Sequence, residues 1–184
     1  MSDWADWLVA HGHADEQTVA EAERVLEAAE LRPGDTVLDV GAGLGLLTLA
    51  AHARIGDGWV IAIDPSAVAL EELLRVAHEA GANGIMYLIG DADVLPLPDA
   101  SVDVAVLQAV LGRVADLARV CGELARVLRP GGRLSLSEPL AGSGSEPAAP
   151  LDPDALAAEL RSAGLVDLEL EVDRARLFLG ARRA

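Results

Sequence analysis

Between Asp15 and Glu30 the apolar positions Val19, Ala22, Val25, Leu26 and Ala29 return every three or four residues, which places them on one face of a helix. Pro33-Gly34 ends it. Thr36 to Val40 then predicts a buried strand, Gly41 to Gly45 a glycine-rich turn, and Leu46 to Arg54 an apolar helix. The unit repeats after Gly56-Asp57-Gly58: Trp59 to Ile63 is a second strand, and Ser66 caps a helix that runs to Ala80 and closes at Gly81. Ile85 to Ile89 is a third strand, followed by a stretch with Pro96 and Pro98 that is too short and proline-rich for a helix. Val102 to Leu107 is a fourth, and Asp116 caps a helix to Leu128 that stops at Pro130-Gly131-Gly132. Arg133 to Ser137 makes a fifth strand, and Asp152-Pro153 starts a last helix ended by Gly164.

Near-continuous apolar strands alternating with helices require parallel pairing, right-handed crossovers and helices on both faces. The end of the chain changes period. Val166-Asp167-Leu168-Glu169-Leu170-Glu171-Val172 alternates apolar and polar, a turn at Asp173-Arg174 follows, and Leu177-Phe178-Leu179 returns, which predicts an antiparallel hairpin at a sheet edge with one wet face. The expected architecture is α/β, a seven-stranded, mostly parallel sheet with one antiparallel strand. It forms a single domain over residues 1–184: an N-terminal helical segment over 1–32, a core over 33–140, and a helix with a hairpin over 141–184.

Composition agrees with a packed globular domain, since 52% of the residues are hydrophobic and 24% charged. The formal net charge of −16 opposes association with phosphate backbones and anionic lipid, so neither nucleic acid nor membrane is expected as a partner. The single cysteine, Cys121, cannot close an internal disulfide or a multi-cysteine metal site, and it falls inside a helical pattern as a small buried hydrophobe. No metal is expected. Asp3 and Asp6 stand where a targeting signal would be basic, no apolar run approaches membrane-spanning length, and a cytoplasmic location is expected.

The strongest chemical signal is Val37-Leu38-Asp39-Val40-Gly41-Ala42-Gly43-Leu44-Gly45. Glycines after a first strand let a ligand approach the backbone, and the following helix aims free N–H groups into the crevice, which suits a nucleotide-like ligand. A tight strand-to-helix turn would need glycines too. The dinucleotide fingerprint wants its third glycine where this chain has Leu46, which argues against NAD. Asp64 ends the second strand 19 positions after Gly45, where a carboxylate can accept from both ribose hydroxyls; the plainer reading is a helix-start turn at Asp64-Pro65-Ser66. Asp91 in Gly90-Asp91-Ala92, after the third strand, can accept from an adenine amine. Turns and carboxylates at the ends of three successive strands converge on one crevice, and together they specify an adenosine site.

With these residues in place the chain resembles the class I S-adenosylmethionine-dependent methyltransferases, in their small-molecule, type 11-like branch. The matching pieces are VLDVGAGLG, VIAIDPS, GDADVLPLPDASVDVAV and LARVLRPGGRLSLSEP, in the family's order, between about Gly34 and Pro139. The resemblance implies a Rossmann-like fold and S-adenosyl-L-methionine as cofactor. It implies that Asp39 and Gly41 hold the methionine end, that Gly43 and Gly45 admit the cofactor's backbone, that Asp64 grips the ribose, that Asp91 and Ala92 recognise adenine, that Gln108 meets the methionine portion or the acceptor, and that Ala42 and Pro65 also bind the cofactor. Family members often carry Phe where this chain has Leu97 and Val102, and a histidine pair where it has Gly112-Arg113.

Methyl transfer from a sulfonium needs alignment and exclusion of water, and a base only for an acceptor that is protonated. The candidates for catalytic roles are His11, His13, Arg113 and Glu138, each with a plainer reading as a loop or helix-start residue. Trp4, Trp7 and Leu8 share one face of a short helix, read either as a lid over the site or as a segment docked on the outer helices. The short connection from Ala141 to Pro150 leaves a shallow acceptor pocket, or one completed by a homodimer partner or another chain. Two functions follow: methyl transfer to a small molecule, or cofactor binding without methyl transfer.

Overall fold

The central parallel strands are apolar on both sides because helices cover both faces, and the computed structural model of the chain, which describes residues 9, 14–140, 151–173 and 175–184, shows how. The strands are β1 (Thr36–Val40), β2 (Trp59–Asp64), β3 (Ile85–Ile89), β4 (Val102–Gln108), β5 (Leu128–Pro139), β6 (Leu165–Asp173) and β7 (Arg176–Arg183). The helices are α1 (Glu16–Ala28), α2 (Leu46–Ile55), α3 (Ala67–Glu79), α4 (Leu117–Val127) and α5 (Pro153–Ser162). Polar caps set the helix starts: the side chains of Asp15, Ser66, Asp116 and Asp152 each accept a backbone N–H from the first turn.

The seven strands lie in the order β3-β2-β1-β4-β5-β7-β6. β1 pairs in parallel with β2 and β4, β2 with β3, and β4 with β5, while β7 runs antiparallel between β5 and β6. The chain winds outward from β1 to β3 and then crosses back to start again at β4. That reversal opens a crevice beyond the carboxyl ends of β1 and β4.

Side-chain alternation divides the core. Val37, Val104 and Val106 pack with Val25, Leu26, Leu47 and Ile55 of α1 and α2, whereas Leu38, Val40, Ala105 and Leu107 pack with α4 and α5. Cys121 is fully buried in the second layer, and burial pushes its thiol up to about 12. Val102 is fully buried and Leu97 half-buried against that layer.

Two predicted strands differ from the structure. β5 begins at Leu128, because Leu128 pairs with Val102 before a register shift, and Pro130-Gly131-Gly132 lies within the strand rather than between helix and strand. The alternation in β6 predicts one buried face, yet Val166, Leu170 and Val172 are exposed and Leu168 is half-buried. β6 is the outermost strand, and α5 meets it where Leu165 is buried, so the rest of its apolar row is uncovered by described residues.

Candidate cofactor cleft

The glycine-rich turn is tied to its neighbours on every side. The N–H groups of Gly41 and Ala42 both donate to the Ile63 carbonyl of β2, at 2.8 and 3.0 Å. The Gly43 N–H donates to Asp64 Oδ2 at 2.9 Å, and the Ser66 N–H to Asp64 Oδ1 at 2.8 Å. Asp64 thus couples the turn to the start of α3, and each of its carboxylate oxygens keeps lone-pair capacity for a further donor. Gly45 starts α2 with φ of +92°, and a Cβ there would stand 2.0 Å from Leu73 Cδ1. The glycine is required for α2 and α3 to approach, and it lies outside the lining of the cleft.

A cavity of about 540 Å³ opens on this turn, lined by Gly43, Asp64, Pro65, Asp91, Ala92 and Arg113 among others. Its volume falls within the range of small-molecule sites, roughly 300–1,000 Å³. A second cavity of about 260 Å³ adjoins it through Gly41, Gln108 and Ala109, and is bounded by Asp39, Ala42, Thr18, Arg176 and an apolar wall of Leu44, Leu46 and Leu47. The structure therefore brings Asp39, Gly41, Ala42, Gly43, Asp64, Pro65, Asp91, Ala92, Gln108 and Arg113 together. The acceptors suit a nucleoside: each Asp64 oxygen keeps a lone pair to which a vicinal diol can donate, and a Cβ at Gly43 would meet nothing closer than 3.9 Å.

Asp39 is 1% exposed and accepts the Thr48 hydroxyl at 2.6 Å. Burial raises its pKa to about 7, with the nearby Asp64 charge adding to the effect. An acid whose pKa is higher folded than unfolded favours the fold below its ordinary value of 3.8 and loses that contribution as pH rises through about 7. Thermal unfolding between pH 4 and 8 checks this: the wild-type midpoint should fall with rising pH relative to Asp39→Asn, which keeps an acceptor for Thr48.

Glu138 is corrected from its sequence reading as a loop carboxylate facing the site. It lies in β5, is 1% exposed, and accepts the N–H groups of Val110 and Leu111 at 2.7 and 2.8 Å and of Gly112 at 3.4 Å. Desolvation raises its pKa, opposed by those three bonds. Its work is to hold the turn that carries Val110 and Arg113 into the larger cavity. His11, His13, Trp4, Trp7, Leu8 and the connection 141–150 lie outside the described residues. His52 lies against the Asn83 carbonyl and His78 is exposed on α3, away from the cleft.

Sequence reading misses Arg176, Glu21 and Thr18. Arg176 opens β7 opposite Pro139 of β5, and its side chain pairs with Glu21 of α1 at 2.8 Å. The period-two pattern puts Arg176 on one strand face with Phe178, but only the sheet order shows that α1 covers that face.

Similarity to known proteins agrees with this geometry. Residues 38–136 match the family profile of a methyltransferase domain. The chain belongs to the class I S-adenosylmethionine-dependent methyltransferases. The family's cofactor is S-adenosylmethionine. Among curated proteins, the chain is 32% identical over 140 residues to an arsenite methyltransferase of Halobacterium salinarum, covering 76% of this chain and 36% of that one. It is 41% identical over 104 residues to a demethylmenaquinone methyltransferase of Symbiobacterium thermophilum, covering 55% and 41%. The chain thus spans about two fifths of these relatives' lengths. Among solved structures, a SAM-dependent methyltransferase from Aquifex aeolicus superposes with a TM-score of 0.82 at 22% identity, with all of both chains covered.

Proposed function

We propose that this methyltransferase transfers the methyl group of S-adenosylmethionine to a small-molecule acceptor by alignment and desolvation, with little or no general base. The observation that carries the reading is the placement of Asp64 and Asp91 in one cavity that shares Gly41, Gln108 and Ala109 with a second cavity beside Asp39. Asp64 and Pro65 would hold the ribose, Asp91 and Ala92 the adenine, and Asp39, Gly41, Ala42 and Gln108 the methionine end. The bound cofactor supplies the methyl group already activated on a sulfonium. The chain's residues supply position: holding two reactants in line is worth up to about 7–11 kcal/mol in favourable systems. Leu44, Leu46 and Leu47 give the smaller cavity an apolar wall, against which a bound ligand would displace water.

The lining of the two cavities fits transfer with little or no general base. Among the described residues, the titratable side chains around them are Asp39, Asp64, Asp91, Asp93, Arg113 and Arg176. Asp39, raised toward neutrality, already accepts from Thr48. Arg113 lines the larger cavity, where it would neutralise an anionic acceptor. A homodimer partner or a second chain completing the acceptor side is part of the same proposal.

A second reading, cofactor binding without methyl transfer, has one observation behind it. A [4+2]-cyclase, SpnF, shares the fold at a TM-score of 0.76 and 23% identity, covering 90% of this chain and 80% of that one. Incubation with labelled S-adenosylmethionine and a metabolite extract separates the two. S-adenosylhomocysteine forming above the rate without extract is the expected result, and tight binding without turnover overturns methyl transfer.

A further inference from the structure

In a polar cluster between α1 and the start of β7, Glu21 and Arg176 have no part in the ligand contacts proposed so far. Glu21 is 7% exposed, accepts Gln17 Nε2 on Oε1 at 3.1 Å, and pairs through Oε2 with Arg176 Nη2 at 2.8 Å. Gln108 Nε2 approaches the same Oε2 at 3.5 Å. Arg176 and Asp39 both line the smaller cavity.

The guanidinium is only partly used. Arg176 Nη1 is buried and has no hydrogen-bond partner among the described residues, and Ser137 Oγ is in the same condition. The two are neighbours in the sheet: Ser137 stands beside Gln108 on one side and Phe178 on the other, and Arg176 lies two positions before Phe178 on β7. Leaving a buried charged donor unmatched is costly, so its persistence marks a place where an acceptor belongs.

Resting on the methyltransferase reading, we propose that Arg176 is the carboxylate-binding residue of the smaller cavity, oriented by Glu21. One edge of the planar guanidinium is fixed by Glu21, which leaves the remaining N–H groups for a second carboxylate. A monoanion matches this setting. Glu21 and Asp39 place two acidic groups nearby, which disfavours a dianion such as phosphate, and a chain of net charge −16 draws in an anion only where a cation is held for it. The carboxylate has two sources. The α-carboxylate of the cofactor would meet Arg176 while its ammonium faces Asp39, or an acceptor would set its carboxylate on Arg176 and its apolar body against Leu44, Leu46 and Leu47.

Calorimetry on Arg176→Gln and Arg176→Lys distinguishes them, with S-adenosylhomocysteine and 5′-methylthioadenosine as probes, because the second lacks the amino-acid end. If the cofactor supplies the carboxylate, Arg176→Gln weakens S-adenosylhomocysteine by about 10- to 100-fold, leaves methylthioadenosine within about twofold, and Arg176→Lys restores part of the loss. If the acceptor supplies it, both nucleosides bind as before, and hexanoate binds the wild type loaded with S-adenosylhomocysteine but not Arg176→Gln, while hexanol is indifferent to the change. Equal losses for both nucleosides, or no change for any probe, overturns the assignment. Failure of the wild type to bind either nucleoside sinks the methyltransferase reading instead, and titrating hexanoate into the free protein then decides the subsite alone: loss of binding in Arg176→Gln upholds it and unchanged binding removes it.

Discussion

Replacing Asp64 by alanine is expected to weaken S-adenosylhomocysteine binding by about 10- to 150-fold, the equivalent of about 1.5–3 kcal/mol for hydrogen bonds to a charged group. The size follows from where the carboxylate sits. Asp64 is 9% exposed, and its two oxygens already order the Gly43 and Ser66 N–H groups, so the acceptor positions left over are held rigidly toward the larger cavity. Alanine removes the ligand's acceptors and also releases the turn that shapes the cavity. Asparagine at the same place keeps an acceptor for one of the two N–H groups but loses the charge, and is expected to fall between the two. Isothermal titration of the three proteins measures this, and an unchanged affinity for the alanine variant would refute the ribose assignment.

Gly45→Ala is expected to cost stability first and binding second. A left-handed backbone at a residue with a Cβ costs about 1–2 kcal/mol. The added methyl also meets Leu73, a fully buried residue of α3, at 2.0 Å, and crowding of this kind costs about 1–3 kcal/mol. For a domain of this size each kcal/mol lowers the melting temperature by about 2–4 °C, so a fall of about 4–20 °C is expected. Gly81→Ala is the control, because Gly81 has φ of +68° and nothing within 4 Å of an added Cβ. Its smaller loss measures the backbone alone, and the difference measures the contact with Leu73. Equal losses in the two variants would show that α3 yields freely and that Gly45 is not what sets the spacing of α2 and α3.

Much of this site is legible in the amino-acid sequence. The turn from Gly41 to Gly45, Asp64 after β2 and Asp91 after β3 can be placed because each follows a strand whose end is marked by its own sequence, and parallel strands bring such ends to one side of a sheet. Other residues mislead because their roles depend on distant chain. Glu138 reads as a loop carboxylate near a possible acceptor; its oxygens are taken by three N–H groups from the segment after β4, 26 to 28 positions earlier. Gly45 reads as part of the ligand's cradle, and its constraint comes from Leu73 on another helix.

The order of apolar and polar positions by itself determined the strands, the helices and the parallel sheet with its reversed strand, because periodicity and turn chemistry act over a few residues. Tertiary structure alone decided that α1 covers β7, that Glu21 meets Arg176, and that the apolar row of β6 is left uncovered by the described residues. Those outcomes depend on which strand lies beside which and on how far each helix reaches. Period and capping leave both undetermined until the whole sheet has assembled.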